Sequence, residues 1–325
     1  MELSVSVERW PIAGAFRISR GAKTEAEVVV ATLTDGPHRG RGECVPYRRY
    51  GESVEGVVAA IERLRPAIEA GLDRIALQSA LPAGAARNAL DCAFWDLAAK
   101  QSGRRVAELA GLPLPRPVLT AYTLSLDAPE AMAAAARAAA KPLLKLKLGG
   151  DGEDFARVAA VHAAAPEARL IVDANEAWSP AETPALAARL AGLGVSLIEQ
   201  PVPAGADEAL DAATCPIALC ADESCHTVTD LPRLAGHYSH VNVKLDKAGG
   251  LTAAIELAKG ARELGLGLMV GCMVGTSLAM APAALLAPLA DFTDLDGPLL
   301  LARDREPGLR YDGALLHPGV AALWG

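Results

Sequence analysis

The sequence has few aromatic residues, 4% of its 325 positions, and lacks any cluster of lysine and arginine interleaved with aromatic side chains. Acidic residues outnumber basic ones by 39 to 31, so the formal charge is −8. Proteins that bind nucleic acid usually carry a basic surface that contacts the phosphates. We therefore expect this protein to have no nucleic-acid partner.

The N-terminus, MELSVSVERW, lacks the basic start and the apolar core of a secretory signal. We therefore expect a cytoplasmic protein. Residues 265–290 contain no charged residue and are long enough to cross a bilayer. Four glycines and two prolines interrupt this stretch. We interpret it as a buried strand, a glycine loop and a buried helix, and we expect no membrane span.

Six cysteines are scattered through the chain without the paired C-x2-C spacing that zinc sites usually show. Cys215, Cys220, Cys225 and His226 come closest to such a group, but Cys220 lies inside an apolar run. In a long chain without an export signal, buried thiols are expected rather than disulfides or a zinc site.

The patterning predicts two domains and a C-terminal segment. Residues 1–115 combine strand-like runs with a helix that is apolar on one face between positions 90 and 97, which indicates an α+β domain. Prolines at positions 113, 115 and 117 cannot continue a helix or a central strand, so they mark its end. Residues 116–296 are predicted to form a barrel, and residues 297–325 to pack back on the first domain.

Eight short apolar runs alternate with alanine-rich helical segments after the prolines. This alternation predicts an α/β fold, a modified TIM barrel (β/α)7β in which the last helix is short or absent. The runs are 118–124, 143–148, 170–173, 196–199, 217–222, 241–245, 267–271 and 292–295, and clear helical segments are 129–140, 155–165 and 251–264.

The second run, LLKLKL, alternates leucines with Lys145 and Lys147. Alternate residues of a strand share a face, so the leucines can pack under helices while both lysines point into the barrel. The alternative is an edge strand that holds its lysines in solvent.

Charged residues end five successive runs and recur at intervals of 22 to 26 residues: Lys147, Asp173, Glu199, Asp222 and Lys244. Functional residues of barrels cluster at these strand ends, so we expect the five side chains to surround one pocket. Three carboxylates cannot share a dry pocket without a cation, and oxygen ligands alone favour Mg²⁺. We therefore predict that Asp173, Glu199 and Asp222 bind Mg²⁺. The alternative for either aspartate alone is a helix N-cap.

The lysines flank this acidic trio in the chain. A buried lysine beside a dication is shifted towards its neutral form and can act as a base. Lys147 and Lys244 could therefore remove a proton from one face of a carbon and return it to the other. The alternative for Lys244 is a salt bridge to Asp246 or to a ligand carboxylate, and we interpret Lys145 as a supporting charge.

The eighth run carries Asp294 and Asp296 at alternate positions, so both lie on one face. Aspartates before a Gly-Pro pair are often turn formers. If they point into the pocket instead, they would hold a cationic group of the substrate.

Several motifs, in their joint order and spacing, resemble those of the enolase superfamily, in the muconate-lactonizing-type subgroup with lysine bases on two strands. The resemblance covers nearly the whole chain and is closest to dipeptide epimerases. The motifs are GECVPYRRYGES, LPAGAARNALDCAFWDLAAK, the Lys145–Lys147 pair, IVDANE, EQP, CADESCHT, VNVKLDKAGGLT, GCMVGTS and DLDGP.

The resemblance implies that the first domain caps the barrel, and that the protein epimerises L-Ala-D-Glu and L-Ala-L-Glu at the glutamate α-carbon through an enediolate. It assigns Asp173, Glu199 and Asp222 to one Mg²⁺ per subunit, and Lys147 and Lys244 to proton transfer. We also expect a homo-oligomer.

The same resemblance implies further contacts with the substrate. Asp294 and Asp296 would bind the free ammonium group of the dipeptide, and Arg20 the side-chain carboxylate of the epimerised residue. Thr276 and Ser277 lie in the seventh-strand loop, where the family contacts substrate.

Other activities use the same lysine frame. Racemisation of an N-acyl amino acid such as N-acetylglutamate is one alternative activity. The acyl group of such a substrate is neutral, so the carboxylates of Asp294 and Asp296 would matter less for binding it. Muconate cycloisomerases and o-succinylbenzoate synthases act on substrates without the ammonium group. A non-catalytic barrel is a further alternative, and the full set of five charged strand ends argues against it.

Overall fold

The N-terminal part is an antiparallel sheet covered by helices. The computed structural model describes all residues, 1–325. The strands β1 (Glu2–Ile18), β2 (Gly21–Asp35) and β3 (His38–Cys44) pair in chain order. The helices are α1 (Val54–Arg63), α2 (Arg65–Glu69), α3 (Arg74–Ala80), α4 (Ala85–Ser102) and α5 (Val106–Leu109), and a 3-10 turn spans Arg48–Tyr50. The loops before β2 and after β3 therefore extend from one end of this sheet.

Helix α4 lies unusually close to strand β3 because two glycines of β3 have no side chain. A Cβ atom on Gly40 would lie 2.2 Å from the Ala93 carbonyl oxygen, and one on Gly42 would lie 2.1 Å from the Ala89 carbonyl oxygen. Any larger residue would push the helix from the sheet. This close contact fixes where β3 ends and where the loop after it begins.

The central part is an eight-stranded parallel sheet. After β4 (Val118–Leu119), the strands are β5 (Tyr122–Leu124), β6 (Leu143–Lys147), β7 (Arg169–Asp173), β8 (Val195–Glu199), β9 (Ala218–Ala221), β10 (His240–Val243), β11 (Gly267–Gly271) and β12 (Phe292–Asp294). The Ala121 amide donates to the Thr293 carbonyl over 2.8 Å, which joins the first and last strands and closes the barrel. The predicted fold class is confirmed.

The first run, predicted as one strand over 118–124, is divided between two sheets, so that prediction was wrong. Strand β4 pairs with a C-terminal strand, and the Thr120 amide donates to the Ala314 carbonyl over 2.9 Å. From Ala121 onward the backbone turns to the barrel. Both halves are apolar and extended, so the sequence alone did not show that they pair with different partners.

Helices cover the outside of the barrel. They are α6 (Pro129–Ala139), α7 (Asp154–Ala164), α8 (Thr183–Leu190), α9 (Leu231–Leu234), α10 (Leu245–Ala248), α11 (Leu251–Glu263), α12 (Ser277–Ala284) and α13 (Gly297–Leu300). Short 3-10 turns span Ala191–Leu193, Asp207–Ala209, Val228–Asp230 and Ala287–Leu289. Only the four-residue α13 follows the last strand, as expected. No helix of the chain combines the length and the apolar character that crossing a bilayer requires.

A layer of seven buried apolar side chains fills the interior of the barrel. Six lie in barrel strands, and Ala121 lies directly before β5. The members of the layer are Ala121, Leu143, Ile171, Leu197, Cys220, Met269 and Phe292. Five of them precede a charged residue by two positions. Because alternate residues of a strand share a face, the charged residues form the next layer up, on a dry floor.

The lysines of β6 point into the barrel. Leu144 and Leu146 are fully buried in the main core on the other face of the strand, and Lys145 and Lys147 are only 1% and 7% exposed. An edge strand with solvated lysines is therefore excluded.

The C-terminal segment forms the hairpin β13 (Tyr311–Asp312) and β14 (Leu315–Leu316) and then reaches helix α4. The Trp324 indole donates to the Cys92 carbonyl over 3.0 Å, and the Gly325 amide donates to Asp96 over 2.8 Å. The end of the chain therefore holds the N-terminal helices against the barrel.

Candidate active site

A layer of acidic and basic side chains lies at the carboxyl ends of the barrel strands. Following the strands from β6 to β12, its members are Lys145, Lys147, Asp173, Glu199, Asp222, Lys244 and Asp294, and all are buried. The register of the parallel sheet places Asp173 beside Glu199. Strands β6 and β10 are four apart in a closed barrel of eight, so Lys147 and Lys244 approach from opposite sides.

A cavity of about 790 Å³ lies between this layer and the N-terminal loops. The barrel contributes Lys147, Asp222 and Lys244, together with Cys272 and Met273 of the seventh-strand loop. The remaining wall comes mainly from two N-terminal segments, 16–27 and 45–55. The first domain therefore covers the mouth of the barrel.

Lys145 lies at the centre of the charged layer. Its Nζ atom is 2.6 Å from Glu199, 2.7 Å from Asp294 and 3.2 Å from Asp173. Burial opposes its charge, but these carboxylates prevail and raise the pKa of Lys145 well above its ordinary value. Lys145 therefore stays protonated and contributes positive charge at the centre of the carboxylates.

Lys147 and Lys244 each face one aspartate of the acidic trio. The Lys147 ammonium donates to Asp173 over 2.6 Å, and the Lys244 ammonium donates to Asp222 over 2.7 Å. Burial would raise the pKa of both aspartates, but the lysines outweigh it and hold each pKa below its ordinary value. Asp246, the alternative partner of Lys244, instead accepts from the Val45 amide and from Asn88.

Glu199 is the member of the trio with the least compensated charge. It is fully buried, and burial together with the neighbouring Asp173 raises the pKa of Glu199 to about 7. Asn242 donates to one of its oxygens over 2.8 Å. A Cβ on Gly271 would lie 2.6 Å from the Asn242 amide oxygen, so this glycine leaves the room that Asn242 needs.

The acidic trio has the composition of a Mg²⁺ site, with three carboxylates on adjacent strand ends and no nitrogen or sulfur donor among them. As the side chains stand, no three acidic, histidine or cysteine groups converge closely enough to hold a metal ion. Ammonium groups contact two of these carboxylates: Lys145 and Lys147 bind Asp173, and Lys244 binds Asp222. Burial and the neighbouring Asp173 raise the pKa of Glu199, and a cation held by three oxygen ligands would offset both effects, so the residues fit the ion.

Asp294 and Asp296 share a single cation between them. Asp294 binds Lys145 through one oxygen, and its other oxygen is buried without a hydrogen-bond partner. Asp296 accepts from the Thr123 amide over 2.6 Å, and burial and Asp294 raise the pKa of Asp296 to about 7. Neither aspartate lines the cavity itself, but Cys272 does, and burial and both aspartates raise the pKa of its thiol.

Arg20 extends from the first N-terminal loop to the rim of the barrel. Its guanidinium donates to Glu223 over 2.7 Å, to the Asn175 carbonyl over 2.8 Å and to Glu176 over 3.2 Å. A fourth contact goes to the Tyr47 hydroxyl over 3.1 Å. Arg20 therefore lines the cavity, and two carboxylates already pair with its charge.

Thr276 and Ser277 do not line the cavity. The Thr276 amide and hydroxyl donate to Glu43, and the Ser277 amide and hydroxyl donate to Asp304. Thr276 also caps helix α12 through the Leu278 amide. The expected substrate contact of these hydroxyls finds no support in this geometry, because both are used to join the loop to the first domain and the C-terminal segment.

Several site residues were not predicted from the sequence. The Lys247 ammonium is fully buried and donates to the Asp222 carboxylate and carbonyl, each over 2.6 Å. Glu223 and Asn242 complete the surroundings of Asp222 and Glu199. Their positions offered a signal, since Glu223 adjoins Asp222, and Asn242 precedes Lys244 by two residues and therefore shares its strand face.

The fold and the site define a class of protein, a capped parallel barrel with carboxylates and lysines at its strand ends. Residues 129–307 match the family model described as Enolase C-terminal domain-like. Residues 1–111 match the model of the Mandelate racemase / muconate lactonizing enzyme, N-terminal domain. The chain therefore belongs to the enolase superfamily, and the family predicted from its motifs is confirmed.

Two relatives in this family are similar along nearly all of their length. L-Ala-D/L-Glu epimerase from Escherichia coli (strain K12) is 49% identical over 320 residues, which cover 97% of this chain and 99% of that protein. N-acetyl-D-glutamate racemase from Pseudoalteromonas sp. is 48% identical over 305 residues, covering 92% and 95%. The names of the two relatives give different substrates, although both are almost equally identical to this chain. Sequence identity alone therefore does not decide between a dipeptide and an N-acyl amino acid as its substrate.

Solved structures show the same fold. An enolase family member from Agrobacterium tumefaciens with homology to dipeptide epimerases, with bound sodium and L-Ala-L-Glu, is 53% identical, has a TM-score of 0.97 and covers 99% of both chains. A dipeptide epimerase from Enterococcus faecalis, complexed with Mg and L-Leu-L-Tyr, is 29% identical, has a TM-score of 0.91 and covers 98% of this chain and 96% of that one.

Proposed function

We propose that this protein is an isomerase that epimerises L-Ala-D-Glu and L-Ala-L-Glu by moving a proton at the glutamate α-carbon, with Mg²⁺ as its cofactor. One observation carries this proposal. Lys147 and Lys244 stand on opposite strands of the barrel, and the carboxylates of Asp173, Glu199 and Asp222 lie between them. The relatives and solved structures that act on or bind dipeptides support the same substrate class.

The reaction follows from where the ammonium groups lie. A substrate whose carboxylate is directed at the acidic trio would present its α-carbon between Lys147 and Lys244. The lysine that acts as base does so as the neutral amine and takes the α-proton from its face, and the other lysine, as the ammonium ion, donates a proton to the opposite face, which inverts the centre. Mg²⁺ held by Asp173, Glu199 and Asp222 would stabilise the negative charge that develops on the substrate carboxylate.

The aspartate pair favours a dipeptide over an N-acyl amino acid. Asp294 and Asp296 share only Lys145, and burial and Asp294 raise the pKa of Asp296. The free ammonium group of a dipeptide supplies a second positive charge, whereas a neutral acyl group does not. N-acetylglutamate racemisation is the second candidate, and the 48% identity to N-acetyl-D-glutamate racemase favours it.

Proton NMR in D₂O tests the proposal, with L-Ala-D-Glu, L-Ala-L-Glu and N-acetylglutamate incubated in parallel with enzyme and Mg²⁺. The proposal expects the glutamate α-proton signal of each dipeptide to disappear while the other diastereomer accumulates. A sample with excess chelator is the control. Turnover of N-acetylglutamate alone would transfer the assignment to an N-acyl amino acid racemase, and no exchange in any sample would refute both.

The cytoplasmic location, the homo-oligomer, the absence of a nucleic-acid partner and the domain boundaries at residues 115 and 296 are also part of this proposal. The acidic composition supports the absence of a nucleic-acid partner, since the chain carries 39 acidic and 31 basic residues. The boundary at residue 296 is supported by the contacts of the C-terminal segment, residues 297–325, with helix α4 of the first domain.

A further inference from the structure

We propose that Gln200 is a positioning residue for the Mg²⁺ site, and that its side chain sets the separation between the carboxylates of Glu199 and Asp222. Gln200 directly follows Glu199, the last residue of β8. The inference rests on the proposed function, because it concerns the residues that would hold the Mg²⁺ proposed there. It gives a role to a residue that lies behind the site rather than in it.

Strands β8 and β9 stop pairing before the chain reaches Asp222. The last main-chain hydrogen bond between them runs from the Gln200 amide to the Cys220 carbonyl over 2.8 Å. Strand β9 ends at Ala221, so Asp222 lies in the loop that follows. The amide of this buried residue therefore needs a hydrogen-bond partner from outside the regular sheet.

The backbone of Gln200 turns away from β9 at this point. In a parallel pair of strands, the N–H and the C=O of one residue point to the same neighbouring strand. Gln200 departs from this pattern because its backbone is left-handed, with φ = 34°. Its carbonyl accepts from the Glu176 amide, in the loop after β7, over 2.9 Å. The main chain of Gln200 therefore has no acceptor left for the loop that follows β9.

The side chain of Gln200 takes the place of that carbonyl. Its Oε1 atom accepts from the Asp222 amide over 2.8 Å and from the Ser224 amide over 3.1 Å. One side chain thus binds the backbone of one predicted Mg²⁺ ligand, while its own backbone continues from another, Glu199. The distance between Glu199 and Asp222 therefore depends on the position of the Gln200 carboxamide.

A buried network holds this carboxamide in one orientation. Its Nε2 atom donates to the Val202 carbonyl over 2.9 Å, to the Ser224 hydroxyl over 2.9 Å and to the Tyr238 hydroxyl over 3.1 Å. Both hydroxyls in turn donate to Asp207, over 2.6 and 2.7 Å. Because each hydroxyl uses its proton on Asp207, it can only accept from Gln200. The oxygen of the carboxamide must therefore face Asp222.

Gln200 acts on the ion only through Asp222. It is fully buried, and it does not line the cavity. Both ends of its side chain are already hydrogen-bonded, so it has no group to offer to a substrate or an ion. Mg²⁺ requires oxygen ligands at about 2.1 Å in nearly octahedral geometry, so a small displacement of Asp222 lowers its affinity. Removing a hydrogen-bond partner of a metal ligand typically weakens metal binding about 10- to 100-fold.

Calorimetric titration with Mg²⁺ tests the inference in the absence of substrate. Gln200→Leu should raise the Mg²⁺ dissociation constant about 10- to 100-fold, and Tyr238→Phe, which removes one acceptor of Nε2, should raise it less. Gln78→Leu is the matched control, since it removes a half-buried carboxamide of the first domain that donates to Asp91 over 2.9 Å. It should leave the dissociation constant unchanged. Urea unfolding of each metal-free variant reports any effect on the fold alone.

The Mg²⁺ dependence of kcat for L-Ala-L-Glu separates positioning from a general structural role. Gln200→Leu should need more Mg²⁺ for half-maximal activity but should approach the wild-type kcat at saturating Mg²⁺. An unchanged dissociation constant, or a loss of kcat that excess Mg²⁺ does not restore, would overturn the inference. If Gln200→Leu does not fold, an unchanged dissociation constant in Tyr238→Phe would overturn it. A wild-type protein that binds no Mg²⁺ would overturn the proposed cofactor as well.

Discussion

Replacing Asp246 by asparagine should remove part of the pH dependence of stability. Asp246 is the second residue of helix α10, is 8% exposed, and accepts from the Val45 amide over 3.0 Å and from Asn88 over 2.8 Å. These contacts join the barrel to the loop and the helix of the first domain. An asparagine oxygen can accept both hydrogen bonds, so Asp246→Asn removes the titration and keeps the contacts.

The magnitude follows from the pKa of this carboxyl. Burial raises the pKa of Asp246 from an ordinary 3.8 to about 7. Between about pH 4 and pH 7, the folded state therefore keeps a proton on Asp246 that the unfolded state has released. The free energy of unfolding falls as the pH rises through this range, and the contribution of Asp246 is constant above it. The full effect is about 4 kcal/mol at alkaline pH, and about 2 to 3 kcal/mol of it should develop between pH 5 and pH 8.

The assay is urea unfolding of metal-free protein at pH 5, 6, 7 and 8, followed by tryptophan fluorescence. The stability difference between Asp246→Asn and the wild type should grow with pH in favour of the variant. Asp312→Asn, at an exposed position of the C-terminal hairpin, is the matched control and should show no such trend. A constant difference across the pH range would refute the reasoning, because it would mean that Asp246 is ionised in the folded protein throughout.

The remaining predictions concern the site. Lys147→Ala and Lys244→Ala should each lower epimerisation by about 10²- to 10⁴-fold with an unchanged circular dichroism spectrum; near-normal turnover in either would remove that lysine from the mechanism. Glu199→Gln should weaken Mg²⁺ binding in a calorimetric titration, and an unaltered isotherm would count against the trio. Asp296→Asn should harm free dipeptides far more than N-acetylated substrates. Because burial and Asp294 raise the pKa of Asp296 to about 7, kcat/KM for free dipeptides should rise as pH passes 7, and a flat profile would contradict the role.

The repeat of the barrel and the charged layer could be predicted from the sequence because both follow from local rules. A strand places alternate residues on one face, so the pattern of Lys145 and Lys147 among leucines already fixed which side chains enter the barrel. The acidic strand ends followed from the period of the fold. Asp173, Glu199 and Asp222 are buried side by side, as that period requires.

Contacts between distant parts of the chain could not be predicted in this way. Thr276 faces Glu43, which is 233 residues away in sequence, and Arg20 meets Glu223, which is 203 residues away. Nothing in the local pattern of either loop specifies such partners. The division of residues 118–124 between two sheets has the same origin, because the partner strand β14 is almost 200 residues further along the chain.

The central claim is that Lys147 and Lys244 act on opposite faces of one carbon, and isotope exchange in the single-lysine variants tests it most directly. Lys147→Ala and Lys244→Ala are incubated in D₂O with each dipeptide epimer separately, and loss of the α-proton is followed by NMR. We predict that each variant exchanges the α-proton of only one epimer, and that the two variants retain opposite epimers. Exchange of the same epimer by both variants, or of both epimers by either one, would contradict the two-face arrangement.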